Sequence, residues 1–514
     1  MQNILDKKQN FQILIVLFII FYYYLWTAIP ESNNFDPVHN IYNYYNKLTD
    51  AFLSGQLHLH DKPAPELLAS QNPYDLKIDP AYKLWDTSLY KGKYYLYFGP
   101  TPVLTLYMPY RILFGKELSD YMAVLIFMFG GVLFVTGFLN IIKNKYFDTI
   151  PCWIFLLSIL VIGFSNCAPF ILRRLGHYQV AISCGYFFTT GGMYFLCKAL
   201  NDPELKVKNL QFASLFLGLA VGARPNLLIA GIGLLIAYYG IIKSNLRIET
   251  NKNGKRKIQL ALLKPYLLCL VILGIYNYLR FDNLFEFGSK YQLSVFNNDK
   301  MVFFNVNNFI PGLYFYLFHP LLINPQFPFV HIVTHWPFNT NPPENYYLEK
   351  ITGIFPANPY LLLLLIIPLM VIVRKDFIFN EIKKREKDFP VFEFLVIIVP
   401  ALLICMFLVM WFSVNMRYLI DFITLLTLAS TIVGFYMYKK LINSNEVFIF
   451  KLVFIVISFL SISFGAAYGI EGCEYGPEYG LQGYRPEEFK KLEEFFSPIS
   501  RLIYNVSKGK SVCY

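Results

Sequence analysis

Apolar stretches long enough to cross a bilayer, each of about 17–25 residues, recur from residue 11 to residue 468. A chain built this way has few choices. In hydrocarbon every backbone N–H and C=O must be bonded within the protein, so each stretch has to be a helix. About eleven such spans can be drawn: 11–29, 120–141, 151–170, 177–197, 209–222, 226–242, 262–280, 357–373, 391–412, 416–438 and 447–468. The fifth is short for a full crossing and halts at Ala223-Arg224-Pro225-Asn226, a helix stop followed by a restart. With 56% hydrophobic and 15% charged residues, the chain is no ordinary soluble enzyme. The expected fold is an all-α polytopic membrane protein with two large outer-face loops.

The first stretch, Phe11–Ile29, is followed by no small-x-small cleavage site and ends in Tyr22-Tyr23-Tyr24 and Trp26, which suit a membrane interface. It is expected to be retained as a helix. The net charge of +11 points to topology rather than to nucleic acid, because lysines and arginines gather in connections between apolar spans. Placing Lys7-Lys8, Lys143, Lys145, Lys198, Lys206, Lys208, the run 243–264, the run 374–387 and Lys439-Lys440 on the cytoplasmic side gives a consistent path through a cell membrane. The N-terminus is then inside and the C-terminus outside. The chain divides into a first helix (1–29), a first outer loop (30–119), a bundle (120–280), a second outer loop (281–356), a second bundle (357–468) and an outer tail (469–514). Six of the eight cysteines lie in or beside predicted helices as small apolar residues. The other two, Cys473 and Cys513, could pair if the tail faces an oxidising compartment.

Several arginines run against this charge pattern. Arg173 and Arg174, Arg224, Arg280 and Arg417 all fall at tight junctions on the expected outer side, where positive charge is disfavoured. A guanidinium near hydrocarbon costs a few kcal/mol, so each should face the protein interior and have a partner. Two readings are open. Each arginine pairs locally, Arg417 with Asp421 four residues on and Arg280 with Asp282 two residues on. Alternatively the arginines converge on a phosphate, whose oxygens match the guanidinium fork. A phosphate at that depth is most simply a lipid phosphate, which points to a polyprenyl-phosphate carrier.

The first loop would then hold what reacts with the carried group. Moving a sugar from a phosphate leaving group to a hydroxyl needs a base, and Asp36, Asp86 and Asp50, in that order, are the candidates, with Asp75 trailing. The segment "KLWDTSLYKGKYYLYFGPTP" (83–102) sets six aromatic rings around Asp86. Trp85, Tyr94 and Tyr95, with His177 at the same expected face, could contact a sugar, whose C–H faces are apolar. The same rings could instead form an interfacial belt, and the alternation in "KYYLYFG" fits a small hairpin covering the bundle. No Asp-x-Asp pair occurs in an outer segment, so no metal ligand is predicted and no cofactor is expected.

The stretches "YYNKLTDAFLSGQL", "PELLASQNPYD", "WDTSLYKGKYYLYFGPTP", "LGLAVGARPNLL", "YNYLRFDNLFEFGSKYQL" and "RYLIDF" resemble those of bacterial GT-C membrane glycosyltransferases. The relatives in question are mannosyl- and aminoarabinose transferases that use polyprenyl-phosphate sugars. The resemblance implies inverting transfer from a polyprenyl-phosphate-linked donor to a glycan, lipid or protein acceptor. A first-loop acid would act as base and arginines would lie near the carrier phosphate. Its acid stands shortly after the first helix, where Asp36 is nearest, although Asn43 precedes Tyr44-Tyr45 where relatives carry Asp. Some relatives use a divalent metal. A multi-span transporter or flippase is the alternative, because broken helices and intramembrane charges also suit a substrate pathway; a non-catalytic membrane scaffold or export partner is a third.

Overall fold

The computed structural model describes residues 2–29, 43–75, 77–173, 176–202, 204, 206–243, 252–295, 301–366, 368, 389–472 and 480–507. Asp36, Arg174, Cys473 and Cys513 lie outside these residues. Among the described residues, eight helices are long and apolar enough to cross a membrane: Lys8–Ala28, Asp120–Tyr146, His177–Asn201, Pro225–Lys243, Asn253–Phe281, Val391–Val409, Met416–Leu441 and Val447–Glu471. The protein is therefore helical and polytopic, as expected. Of the three other expected spans, two are shorter apolar helices, Cys152–Phe164 and Val207–Ala223. The third, 357–373, falls partly outside the described residues and begins as a 3-10 turn, Pro359–Leu365. The stop at Arg224-Pro225 is real: the helix ends at Ala223, and a 3-10 segment, Pro225–Gly231, leads into Ile232–Lys243.

Met416–Leu441 is the central helix, with 94% of its apolar window buried, against 22% for Val447–Glu471 at the periphery. A polar first turn on such an enclosed helix is where polar chemistry can be held inside the bundle. Asn415 shapes that turn: its side chain accepts from the Tyr418 N–H at 3.2 Å, leaving Arg417 and Tyr418 in the opening turn.

The two long loops gather at one end of the bundle and are sewn to each other. "SLYKGKYY" forms a hairpin, Ser88–Tyr90 with Lys93–Tyr95, in register Tyr90↔Lys93. Its two-residue turn, Lys91-Gly92, has φ of 48° and 71°, the left-handed pair that a tight hairpin needs and that glycine supplies freely. The second loop extends this sheet: Leu293 donates to Thr87 O at 2.8 Å, and Asp86 N–H donates to Leu293 O at 2.9 Å. Beyond the hairpin, Gly99 packs on the end of the helix Val207–Ala223. A β-carbon at Gly99 would lie 1.8 Å from the Gly222 carbonyl oxygen, so this contact admits glycine alone. The paired signals "FGPT" and "VGARP" thus form one joint, which seats the end of the aromatic segment against Gly222, two residues before Arg224.

The second loop is also fastened to the last span. His331 Nδ1 lies 3.3 Å from Glu471 Oε2, and Ile332 N–H donates to Glu471 Oε1 at 3.1 Å. Burial would lower the imidazole pKa, but the hydrogen bond and charge of Glu471 outweigh it and the pKa is raised. A raised folded-state value means the contact stabilises fully below the ordinary histidine value of about 6.5 and loses that contribution as pH climbs through the folded value. Between pH 6 and 8 the melting temperature should therefore fall more steeply for the native protein than for His331→Gln. Parallel curves would remove this pair from the pH response.

Candidate functional site

The parallel pairing of Tyr347–Leu348 with Ser413–Val414 sets the site up. The pair ends one residue before Glu349 and three before Arg417, so the two side chains meet. Arg417 Nη2 donates to Glu349 Oε1 at 2.9 Å and to Oε2 at 3.3 Å, both residues being buried. One turn on, Asp421 Oδ2 receives Arg224 Nη2 at 2.9 Å and Asn226 Nδ2 at 2.8 Å. The local pairing considered from sequence is thus corrected. Arg417 takes Glu349 rather than Asp421, and Asp282 takes Lys91 and Tyr90 rather than Arg280. A buried guanidinium needs a fully desolvated carboxylate opposite it, and the strand pairing delivers one.

The carboxylate of Asp86 closes the cluster. Its residue has φ of 57°, and the backbone bond to Leu293 turns the side chain toward the start of the helix His177–Asn201. Oδ1 accepts from the Tyr178 hydroxyl at 2.7 Å and from Gln292 Nε2 at 3.2 Å; His177 Nε2 lies 3.5 Å from Oδ2. Arg417 stacks over the Tyr178 ring at 4.7 Å, so guanidinium, phenol and carboxylate form a continuous chain. Both arginines also flank Tyr418, with centroid distances of 5.1 Å for Arg224 and 5.9 Å for Arg417. Burial pushes the Asp86 carboxyl up, but the nearby His177 ring, the Tyr178 hydrogen bond and the charge of Arg417 hold it below its ordinary value. Asp86 is thus ionised at neutral pH while its side chain keeps 27% exposure, open enough for another molecule to reach.

Aromatic side chains wall this carboxylate. The Tyr44 ring meets His177 edge-on at 4.9 Å, and its hydroxyl donates to the Trp85 carbonyl. Phe98 packs on His177 at 5.4 Å and on Tyr178 at 5.0 Å, and Tyr97 on Phe98 at 4.0 Å. The helix Tyr44–Leu53 therefore presses its buried face against the site, with the opposite face carrying Asp50.

The structure brings together some of the expected residues and separates others. Asp86, His177, Arg417 and Arg224 belong to the cluster. Asp50 pairs with Arg111 at 2.9 Å, away from it. Arg280 donates to Leu96 O at 2.7 Å and Asn277 Oδ1 at 2.8 Å, beneath the hairpin. Arg173 donates to Gly469 O at 2.7 Å and stacks on Trp26 at 5.1 Å, tying the first and last spans. Tyr94 and Tyr95 are buried within the hairpin contacts, Tyr95 against Phe281 at 5.4 Å. Trp85 flanks the cluster through its backbone, with Lys83 over its ring at 5.7 Å. The hairpin packs between loop and bundle, because the adjacent rings of Tyr94 and Tyr95 are both buried, as is Leu96 after them. Sequence reasoning missed Tyr178, Gln292, Glu349 and Tyr418. Tyr178 and Tyr418 adjoin candidates it had chosen, whereas Glu349 and Gln292 carry no local signal.

No family model and no curated protein matches the chain. Among solved structures it is similar to the apo oligosaccharyltransferase of Archaeoglobus fulgidus, with a TM-score of 0.48 and 13% identity over 94% of this chain and 59% of that one. It is also similar to the archaeal oligosaccharyltransferase AglB of Archaeoglobus fulgidus in complex with an inhibitory peptide and a dolichol-phosphate, with a TM-score of 0.47 and 13% identity over 95% and 60%. The chain spans about three-fifths of the length of these proteins.

Proposed function

We propose that the protein is a membrane glycosyltransferase that moves a sugar from a polyprenyl-phosphate-linked donor to an acceptor hydroxyl at the loop-bearing, extracytoplasmic end of the bundle. The observation that carries the reading is the partly open Asp86 carboxylate linked through Tyr178 to the buried guanidinium of Arg417. In the reaction the acceptor oxygen forms a bond to the anomeric carbon and the bond from that carbon to the carrier phosphate breaks. The phosphate departs with the electron pair, and Asp86 receives the hydroxyl proton. A carboxylate held below its ordinary pKa is a weak base, so its proton transfer trails the C–O bond formation that makes the hydroxyl acidic.

Arg417 and Arg224 are the proposed contacts for the carrier phosphate. Each already balances a carboxylate, so their role is to offer directed N–H donors rather than net positive charge. The rings of Tyr44, Tyr97 and Phe98 exclude water around the reacting centre. Purified protein in nanodiscs, given radiolabelled polyprenyl-phosphate sugars and an envelope-glycan acceptor, should transfer label. Label that crosses the bilayer without ever leaving the carrier would instead support a flippase.

A further inference from the structure

The helix Pro486–Ser507 has two unlike apolar strips. One is packed: Phe489 and Phe496 meet Phe327 of the second loop at 5.2 and 5.6 Å. The neighbouring strip, Phe495, Ile499 and Leu502, repeats at i, i+4 and i+7 and is 74%, 45% and 65% exposed. The remaining surface carries Lys490, Lys491, Glu494 and Arg501, all exposed.

The depth of this helix is set by its start. Glu488 Oε1 accepts from the Trp26 indole N–H at 2.6 Å, Arg485 donates to the Trp26 carbonyl, and Arg485 Nη1 pairs with Glu488 Oε2 at 2.9 Å. Trp26 stands two residues before the end of the span Lys8–Ala28, where that span leaves the hydrocarbon. The same span exposes Phe11, Leu14, Phe18 and Tyr22, the face that lipid covers. The helix therefore begins at the rim of a lipid-covered surface, with its own apolar strip uncovered by any of the described residues.

We propose that residues 486–507 form an interfacial helix that lies along the bilayer surface, with Phe495, Ile499 and Leu502 set into the boundary between headgroups and acyl chains. The segment holds four glutamates against two lysines and one arginine. Insertion of apolar side chains, not attraction to anionic lipid, is then the driving force, and neutral phosphatidylcholine suffices as partner.

The test uses the full chain in phosphatidylcholine nanodiscs, with benzoyl-phenylalanine replacing Phe495, Leu502 or, on the polar face, Glu494. Irradiation should give lipid adducts at the first two positions several-fold above the third, unchanged by high salt. Equal lipid yields at all three positions, or cross-links from position 502 to a second copy or another protein, overturn the proposal. A second measurement needs no photochemistry. In Phe495→Ser/Leu502→Ser, amide exchange across 486–507 should accelerate at least about tenfold, since two apolar side chains no longer favour leaving water, while exchange in 120–146 stays unchanged. Equal exchange in the variant and the native protein also overturns it.

Discussion

Asp86→Asn is expected to fold normally and to transfer sugar 10²–10⁴-fold more slowly, about the range that a positioned general base contributes. The substitution keeps the shape of the side chain, and an amide oxygen can still accept from Tyr178 and Gln292, which now hold Oδ1 at 2.7 and 3.2 Å. What is lost is the ionised oxygen that takes the acceptor proton. Asp50→Asn is the control: it removes only a half-exposed pair with Arg111, worth under about 1 kcal/mol, and should leave transfer unchanged. Full activity in Asp86→Asn would remove the base from the mechanism. Loss in both variants alike would point to a general weakening of the loop.

Arg417→Ala should carry two penalties that can be separated. It strands Glu349, 7% exposed, without its cation, and an uncompensated buried charge costs about 3–5 kcal/mol. It also withdraws donors proposed to bind the carrier phosphate; charge-assisted hydrogen bonds contribute about 1.5–3 kcal/mol each, or roughly 10–100-fold in donor affinity. In Arg417→Met/Glu349→Leu the first penalty should largely disappear, because well-packed apolar residues can replace a buried ion pair at little cost. The second should persist. Melting temperature and equilibrium binding of a polyprenyl phosphate, measured on both variants, read the two separately. If the double variant binds the carrier as well as the native protein, Arg417 serves the fold alone.

These two residues differ in how visible they are in the chain. Arg417 stands out because a guanidinium at the apolar end of a span violates the charge pattern, and that violation needs no knowledge of neighbours. Asp86 is one of nine carboxylates in the first loop, and its aromatic surroundings rank it above Asp50 but not above Asp36. Its distinction comes from Tyr178, 92 positions away, and Gln292, 206 positions away.

The local physics of the chain decides the membrane-spanning helices, the break at Pro225 and the turn at Lys91-Gly92. Each follows from a requirement met within a few residues: backbone hydrogen bonds closed inside hydrocarbon, the missing proline N–H, and positive φ. Only the tertiary structure decides that Arg417 and Arg224 flank Tyr418 with Arg417 linked to Asp86 through Tyr178, that Arg173 and Arg280 are engaged elsewhere, and that Tyr94 and Tyr95 serve packing. The reason is that a buried charge selects its partner by desolvated geometry, and the strand pairing that brings Glu349 to Arg417 closes a loop of 68 residues.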